Sequence, residues 1–214
     1  MTRLATPRKS RARSQLRIDS ILTAARTLLA EEGVSSLSIY SVAERAEIPP
    51  SSVYHFFAGV PALLEALTGD VHAAFRACLQ APIEHDALNG WGDLSRIVER
   101  RMLTIYSEDA AARQLILAQH GLTEVTQADR QHDIELGQLL HDVFMRHFEL
   151  PALPQDVDVF ALAMELGDRV YARSIQLHDC ITPRMAEEGM RVVDAYLGLY
   201  LPTFLPKRVS PSNT

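Results

Sequence analysis

The sequence predicts an all-α protein of about nine helices, with a compact three-helix unit at the N-terminal end and a larger helical unit after it. Three observations lead there. Apolar residues recur at three- and four-residue spacing along almost the whole 214-residue chain. Gly, Pro and Asn gather at a few short breaks. No convincing run alternates with the period of two that marks a half-buried strand, so no sheet is expected. An apolar fraction of 47% and a charged fraction of 22% are ordinary for a globular chain of this length.

In order, Ile18, Ile21, Leu22, Ala25, Leu28 and Leu29 lie on one face of a first helix, and Gly33 is placed to stop it. A second runs from about Ile39 to Ala46, with Ser38 as N-cap and Leu37 and Val42 at the spacing of a hydrophobic staple. A third spans Pro50 to Phe57. A fourth opens at Pro61, a residue favoured in the first helical position, and reaches about Gln80. After a Pro-, Asn- and Gly-bearing connection at 81–91, further helices are expected at about 92–107, 109–119, 123–148, 156–179 and 183–203. The divisions are then 1–15 as a basic flexible arm, 16–60 as the three-helix domain, 61–206 as the second helical domain and 207–214 as a frayed tail.

The last two helices are apolar on more than one side, and such helices pack against two neighbours. Phe160, Met164, Val193, Tyr196, Leu197 and Tyr200 are therefore candidates for a homodimer interface, a four-helix arrangement across a two-fold axis. A helix pair buried inside one chain is the alternative.

Charge is distributed unevenly. Arg3, Arg8, Lys9, Arg11, Arg13 and Arg17 precede the first acidic residue, whereas residues 61–214 are strongly acidic. A cationic arm on an acidic body directs only the N-terminal end toward a polyanion. A solvated tail or a transit peptide has the same composition. No apolar run is long enough to span a membrane, no secretory signal precedes the first helix, and Cys78 and Cys180 match no metal spacing. A cytoplasmic protein with reduced thiols is expected.

The stretch "RAEIPPSSVYHFF", residues 45–57, carries the chemistry. Two short helices joined by about three residues have the dimensions of a helix-turn-helix. Ala43 and Ala46 leave room for the second helix to cross, Ile48 plugs the angle, and Val53, Phe56 and Phe57 anchor one face. Ser51, Ser52, Tyr54 and His55 then point outward, as donors suited to a DNA major groove. Pro50 removes an amide that has no partner in the first turn, leaving those of Ser51 and Ser52 as the first free donors for a phosphate.

"RIDSILTAARTLLAEEGVSSLSIYSVAERAEI", "SSVYHFF" and "PALLEAL" together resemble the DNA-binding domain of the TetR/AcrR family of bacterial transcriptional regulators. The resemblance implies a homodimer bound to double-stranded DNA, a small-molecule effector, a divergent helical regulatory domain and no cofactor. It places Ser38 at phosphate, Tyr54 at the DNA backbone, His55 at a variable DNA-reaching position, and Ser51 and Ser52 at base-reading positions. Three positions depart from it: Glu47 replaces the usual Gly of the turn, Val60 the usual Lys opening the fourth helix, and Tyr40 a common basic residue. Arg8, Lys9, Arg11 and Arg13 are expected to restore the lost attraction to phosphate. The implied function is a ligand-responsive regulator, with repression of a palindromic operator as the first expectation and an activator or ligand-independent regulator on the same fold as alternatives.

An effector pocket is expected among helices 4 to 8. Its candidate lining is Met102, Tyr106, Leu117, His120, Leu140, Phe144 and Tyr171, with Leu115 and Leu136 beside them. Arg101, Arg113, His120 and His141 supply polar groups, and the apolar remainder favours a hydrophobic or amphipathic ligand. Each residue could equally be plain core. A helical metal-dependent hydrolase is the contrasting class, because His-Asp pairs occur at 132–133, 141–142 and 178–179. The first two pairs are nine residues apart on one helix, about 180° apart around its axis, so convergence on one metal is not expected, nor is catalysis.

Overall fold

The computed structural model describes the backbone of residues 7–118 and 123–209 and the side chains of 11–118 and 132–209. Among the described residues there are nine α-helices: α1 (Pro7–Glu32), α2 (Ile39–Arg45), α3 (Pro50–Phe56), α4 (Val60–Gln80), α5 (Trp91–Glu108), α6 (Ala110–Ala112, continued by a π-helical turn Arg113–Leu117), α7 (Thr123–His147), α8 (Val159–His178) and α9 (Pro183–Leu197). No strand occurs among them. A single β-bridge pairs Phe148 with Lys207.

Helices α1 to α3 close on one another through Ile21, Ala25, Leu28, Leu29, Ile39, Val42, Ala43, Val53 and Phe57, all buried. The α2 N-terminus is a reciprocal capping box: the Ser41 amide donates to the Ser38 hydroxyl at 2.9 Å and the Ser38 amide to the Ser41 hydroxyl at 3.0 Å. At its other end the Ile48 amide donates to the Ala43 carbonyl at 3.0 Å and the Glu47 amide to that of Glu44 at 3.1 Å. These two bonds form a Schellman motif whose left-handed position is held by Glu47, at φ 54°. The turn therefore keeps its geometry although the sequence offers Glu where Gly is easiest.

The remaining helices form one body. Helix α4 runs from the three-helix unit into it and packs on α7, α7 on α8, and α8 along α9, which also meets α5. Gly189 permits the α8–α9 approach, since a Cβ there would overlap the Tyr171 ring. The interior at this crossing is polar in part. Glu99 of α5 is buried and accepts from the Tyr171 hydroxyl at 2.8 Å, Ser95 donates to Asp194 at 2.8 Å, and the Tyr106 hydroxyl donates to Asp168 at 2.8 Å. Burial pushes the Glu99 carboxyl up to about 7, against the hydrogen bond from Tyr171 and with help from Asp194.

Several expectations are corrected. The basic segment at 1–15 is not a flexible arm throughout, because α1 begins at Pro7 and carries Arg11, Arg13 and Arg17 on a helix. Proline at the first helical position makes that early start cheap. Helix α9 stops at Leu197 rather than near 203. The tail from 207 is tied down at its start: Lys207 Nζ donates to the Leu88 carbonyl at 2.8 Å and the Arg208 amide to that of His147 at 2.9 Å. Residues 210–214 lie outside the described residues. Of the six residues expected at a dimer interface, Phe160, Met164, Val193 and Leu197 are buried within the single chain and fill its core. Tyr196 and Tyr200 are half-buried, their rings edge to face at 5.5 Å.

Two expected outcomes follow from these local features. Glu47→Gly relieves the left-handed strain and raises the urea midpoint, by about 1 kcal/mol of stability. For Glu99, the folded state holds a proton that the unfolded state releases near 4.5, so stability falls as pH rises from 4.5 through about 7. Compared with Glu99→Gln in urea titrations across that window, the native chain loses up to about 3 kcal/mol. Parallel curves would show that Glu99 titrates normally.

Candidate nucleic-acid interface

The outward face is built on α3. Pro49, extended at φ −61° and ψ 142°, leads into Pro50 at the first helical position, so the chain enters the helix through a rigid corner. Val53 and Phe57 are buried and Phe56 is half-buried, which turns Ser51, Tyr54 and His55 to solvent and leaves Ser52 partly covered. Tyr54 keeps half of its surface exposed. The His55 and Phe56 rings meet edge to face at 4.8 Å, bracing the imidazole. The Ser52 amide donates to the Pro49 carbonyl at 2.9 Å, so it is not the free donor that the sequence led one to expect; its hydroxyl remains.

Tyr40 stands exposed on α2, while Ser38 is half-buried with its hydroxyl engaged in the capping box. Val60 opens α4 and is partly buried against the core, where a lysine would have faced solvent. The cations come instead from α1. Arg13, Ser14 and Arg17 share one cleft of about 440 Å³ with Ser51, Ser52, His55 and Phe56 of α3. Arg13 and Arg17 are one helical turn apart on the same face, and both are exposed. Arg11 is exposed as well, and the side chains of Arg8 and Lys9 lie outside the described residues. Ser14 and Arg17 were absent from the expected site. The four-residue spacing of Arg13 and Arg17 becomes informative only once this segment is taken as helix.

Residues 21–67 match the family described as bacterial regulatory proteins, tetR family. The match takes in the C-terminal part of α1, all of α2 and α3, and the start of α4. The fold agrees along most of the chain. A TetR-family transcriptional regulator from Streptomyces coelicolor superposes with a TM-score of 0.68 at 23% identity, over 86% of this chain and 99% of that one. A TetR regulator from Rhodococcus sp. RHA1 gives 0.61 at 18% identity, over 87% and 97%. The multidrug binding protein EbrR complexed with ethidium gives 0.61 at 21% identity, over 84% and 98%. No curated protein sequence matches. Residues 21–67 thus match the N-terminal domain of tetR-type bacterial regulatory proteins, and the rest of the chain shares the all-helical fold of the solved TetR-family structures.

The residues expected around an effector are placed as follows. Met102, Tyr106, Leu117, Leu140, Phe144 and Tyr171 are buried in the helical body, and His120 lies outside the described residues. Arg101 does not face a ligand: it donates to the carbonyls of Cys78, Ala81 and Pro82 at 3.1, 2.9 and 2.7 Å, closing the C-terminal end of α4. The His-Asp histidines sit apart. His132 stacks on His72 at 4.4 Å, His141 lies against Phe160 at 5.3 Å, and His178 is exposed at the end of α8. No helix among the described residues is long and apolar enough to cross a membrane.

Replacing both Arg13 and Arg17 by Gln should weaken DNA binding and flatten the plot of log affinity against log salt by about two phosphate equivalents. Fluorescence anisotropy between about 50 and about 200 mM salt reads both effects. An unchanged slope would remove α1 from the interface.

Proposed function

We propose that this regulator is a dimeric repressor that holds a palindromic operator and releases it when a small molecule binds the helical body. The cleft that joins Arg13 and Arg17 to the outer face of α3 is the observation that carries the DNA half of this reading, since it combines phosphate neutralisation with groove-facing donors. Support for a dimer comes from the outer side of α8, where Leu162 and Leu166 remain 38% and 36% exposed on a helix whose other face is buried. Leu199, just beyond α9, is 76% exposed. Leucines one helical turn apart on a solvent face are a cost to a monomer that a second copy removes.

Two copies related by a two-fold axis place their α3 helices in successive major grooves, about 34 Å or a multiple apart. The effector must bind the DNA-incompatible arrangement more tightly than the compatible one; equal affinity shifts nothing. EbrR, similar in fold, has been crystallised with imidazole and with ethidium, which supports a small-molecule partner for this architecture.

Nuclease footprinting at low salt on DNA flanking its own gene tests the reading. Protection of two half-sites related by inverted symmetry is the expected result, with Tyr54→Phe and His55→Ala each weakening it by about tenfold while sedimentation of both variants still gives a dimer. Protection without sequence preference would sink the operator claim, and a monomer in sedimentation would sink the dimer.

A further inference from the structure

We propose that the cavity between α5, α6 and the α8–α9 turn binds an amphipathic anion, a carboxylate or phosphate monoester carried on an apolar body. Its role as effector rests on the repressor reading; the binding itself does not. The cavity encloses about 530 Å³, a size suited to a small organic ligand. Leu103, Tyr106, Ile181 and Ala186 supply apolar wall, and Arg100 and Arg113 supply two guanidinium groups. No carboxylate is among the lining residues.

The polar groups are arranged for one sign of charge. The Thr104 hydroxyl donates to the Arg100 carbonyl at 2.9 Å and the Ser107 hydroxyl to that of Thr104 at 2.8 Å, so both protons stay within α5. Donors for a ligand must therefore come from the arginines. Arg113 is fixed at the end of α5 by its bonds to the Tyr106 and Ser107 carbonyls, and the five N–H donors of its planar fork exceed those two demands. Arg100 is exposed and pairs with no carboxylate among the described residues. A cation would meet two like charges with no carboxylate in the lining to offset them. A neutral apolar molecule would leave the Arg100 guanidinium and the remaining Arg113 donors unengaged.

The site also has a mechanical link to the DNA end. Asp109 accepts from the Ala111 and Ala112 amides at 2.8 and 3.2 Å, capping α6, and its other oxygen accepts from Arg26 of α1. Arg113 lies one turn further along the same segment. An anion that draws Arg113 from the α5 carbonyls thus acts on the piece of chain that α1 is tied to.

The test uses the full chain and four probes with one ten-carbon tail: decanoate, decyl phosphate, decan-1-ol and decylammonium, followed by calorimetry. Saturable binding of either anion, at least tenfold tighter than the alcohol, is expected, with no binding of the cation. Arg100→Gln should weaken anion binding about tenfold without changing the melting temperature, the loss of one charge-assisted contact. Location is read separately from Cys180, an exposed thiol in the cavity wall, by alkylation with N-ethylmaleimide. The other thiol, Cys78, is pushed up to about 11 by burial and reacts slowly. Bound anion should slow Cys180 alkylation at least tenfold. Equal affinity for the alcohol, binding of the cation, or an unprotected Cys180 each overturns the proposal. An anion bound here by a chain that protects no operator would uphold the site and remove the repressor reading instead.

Discussion

Arg26 sets the relation between the two halves of the molecule. Its guanidinium reaches from α1 to Asp109, the cap of α6, and at 3.4 Å to Asp70 of α4. One side chain thus joins the DNA-binding unit to the first and third helices that follow it. Its own surface is about one-third exposed, so the pairing works in a dielectric between water and core, where geometry counts for more than raw attraction. Helix α1 also packs against α4 and α6. The three-helix unit is thus tied both to α4 and to α6, a three-residue helix followed by a π-helical turn. Such a turn is an uncommon element that recurs at functional sites.

The body behind that contact is held in part by hydrogen bonds between buried and half-buried side chains. Glu99, Asp168 and Asp194 converge near Tyr106 and Tyr171, with Arg96 at 3.6 Å from Asp194 on the outer side. A wholly apolar interface between α5, α8 and α9 could slide along its ridges. Hydrogen bonds between named partners allow one register, and an acid whose ionisation is pushed up to about 7 by burial avoids the cost of a buried charge below that pH.

Much of this was legible in the chain. Helical periodicity predicted the elements because each buries one defined face, and the corner at Pro49 and Pro50 was readable because proline fixes its own geometry. Glu47 could be singled out as strained from the turn it occupies. The arm was misread because high charge density resembles a disordered tail, while nothing in composition reveals that Pro7 starts a helix. Four of the six residues expected at an interface on α8 and α9 are covered by their own chain, for a related reason: apolarity marks burial, but the sequence does not say whether the covering surface is one's own chain or a second copy. Phe160 and Val193 face inward, and Leu162 and Leu166 face outward, on helices apolar on both sides. Arg100 and Cys180 were invisible as neighbours because the turn that brings them together is tertiary.

The continuity of α1 has a mechanical meaning. Arg13 and Arg17 stand on the same helix whose far end is tied to the α6 cap through Arg26, so in the proposed DNA complex they would move with that helix rather than independently. A tethered tail would keep the protein loosely attached after its grip on the bases failed. On a rod, contacts to backbone and bases would be released in a single movement, so in the proposed complex leaving the site would also be leaving the duplex.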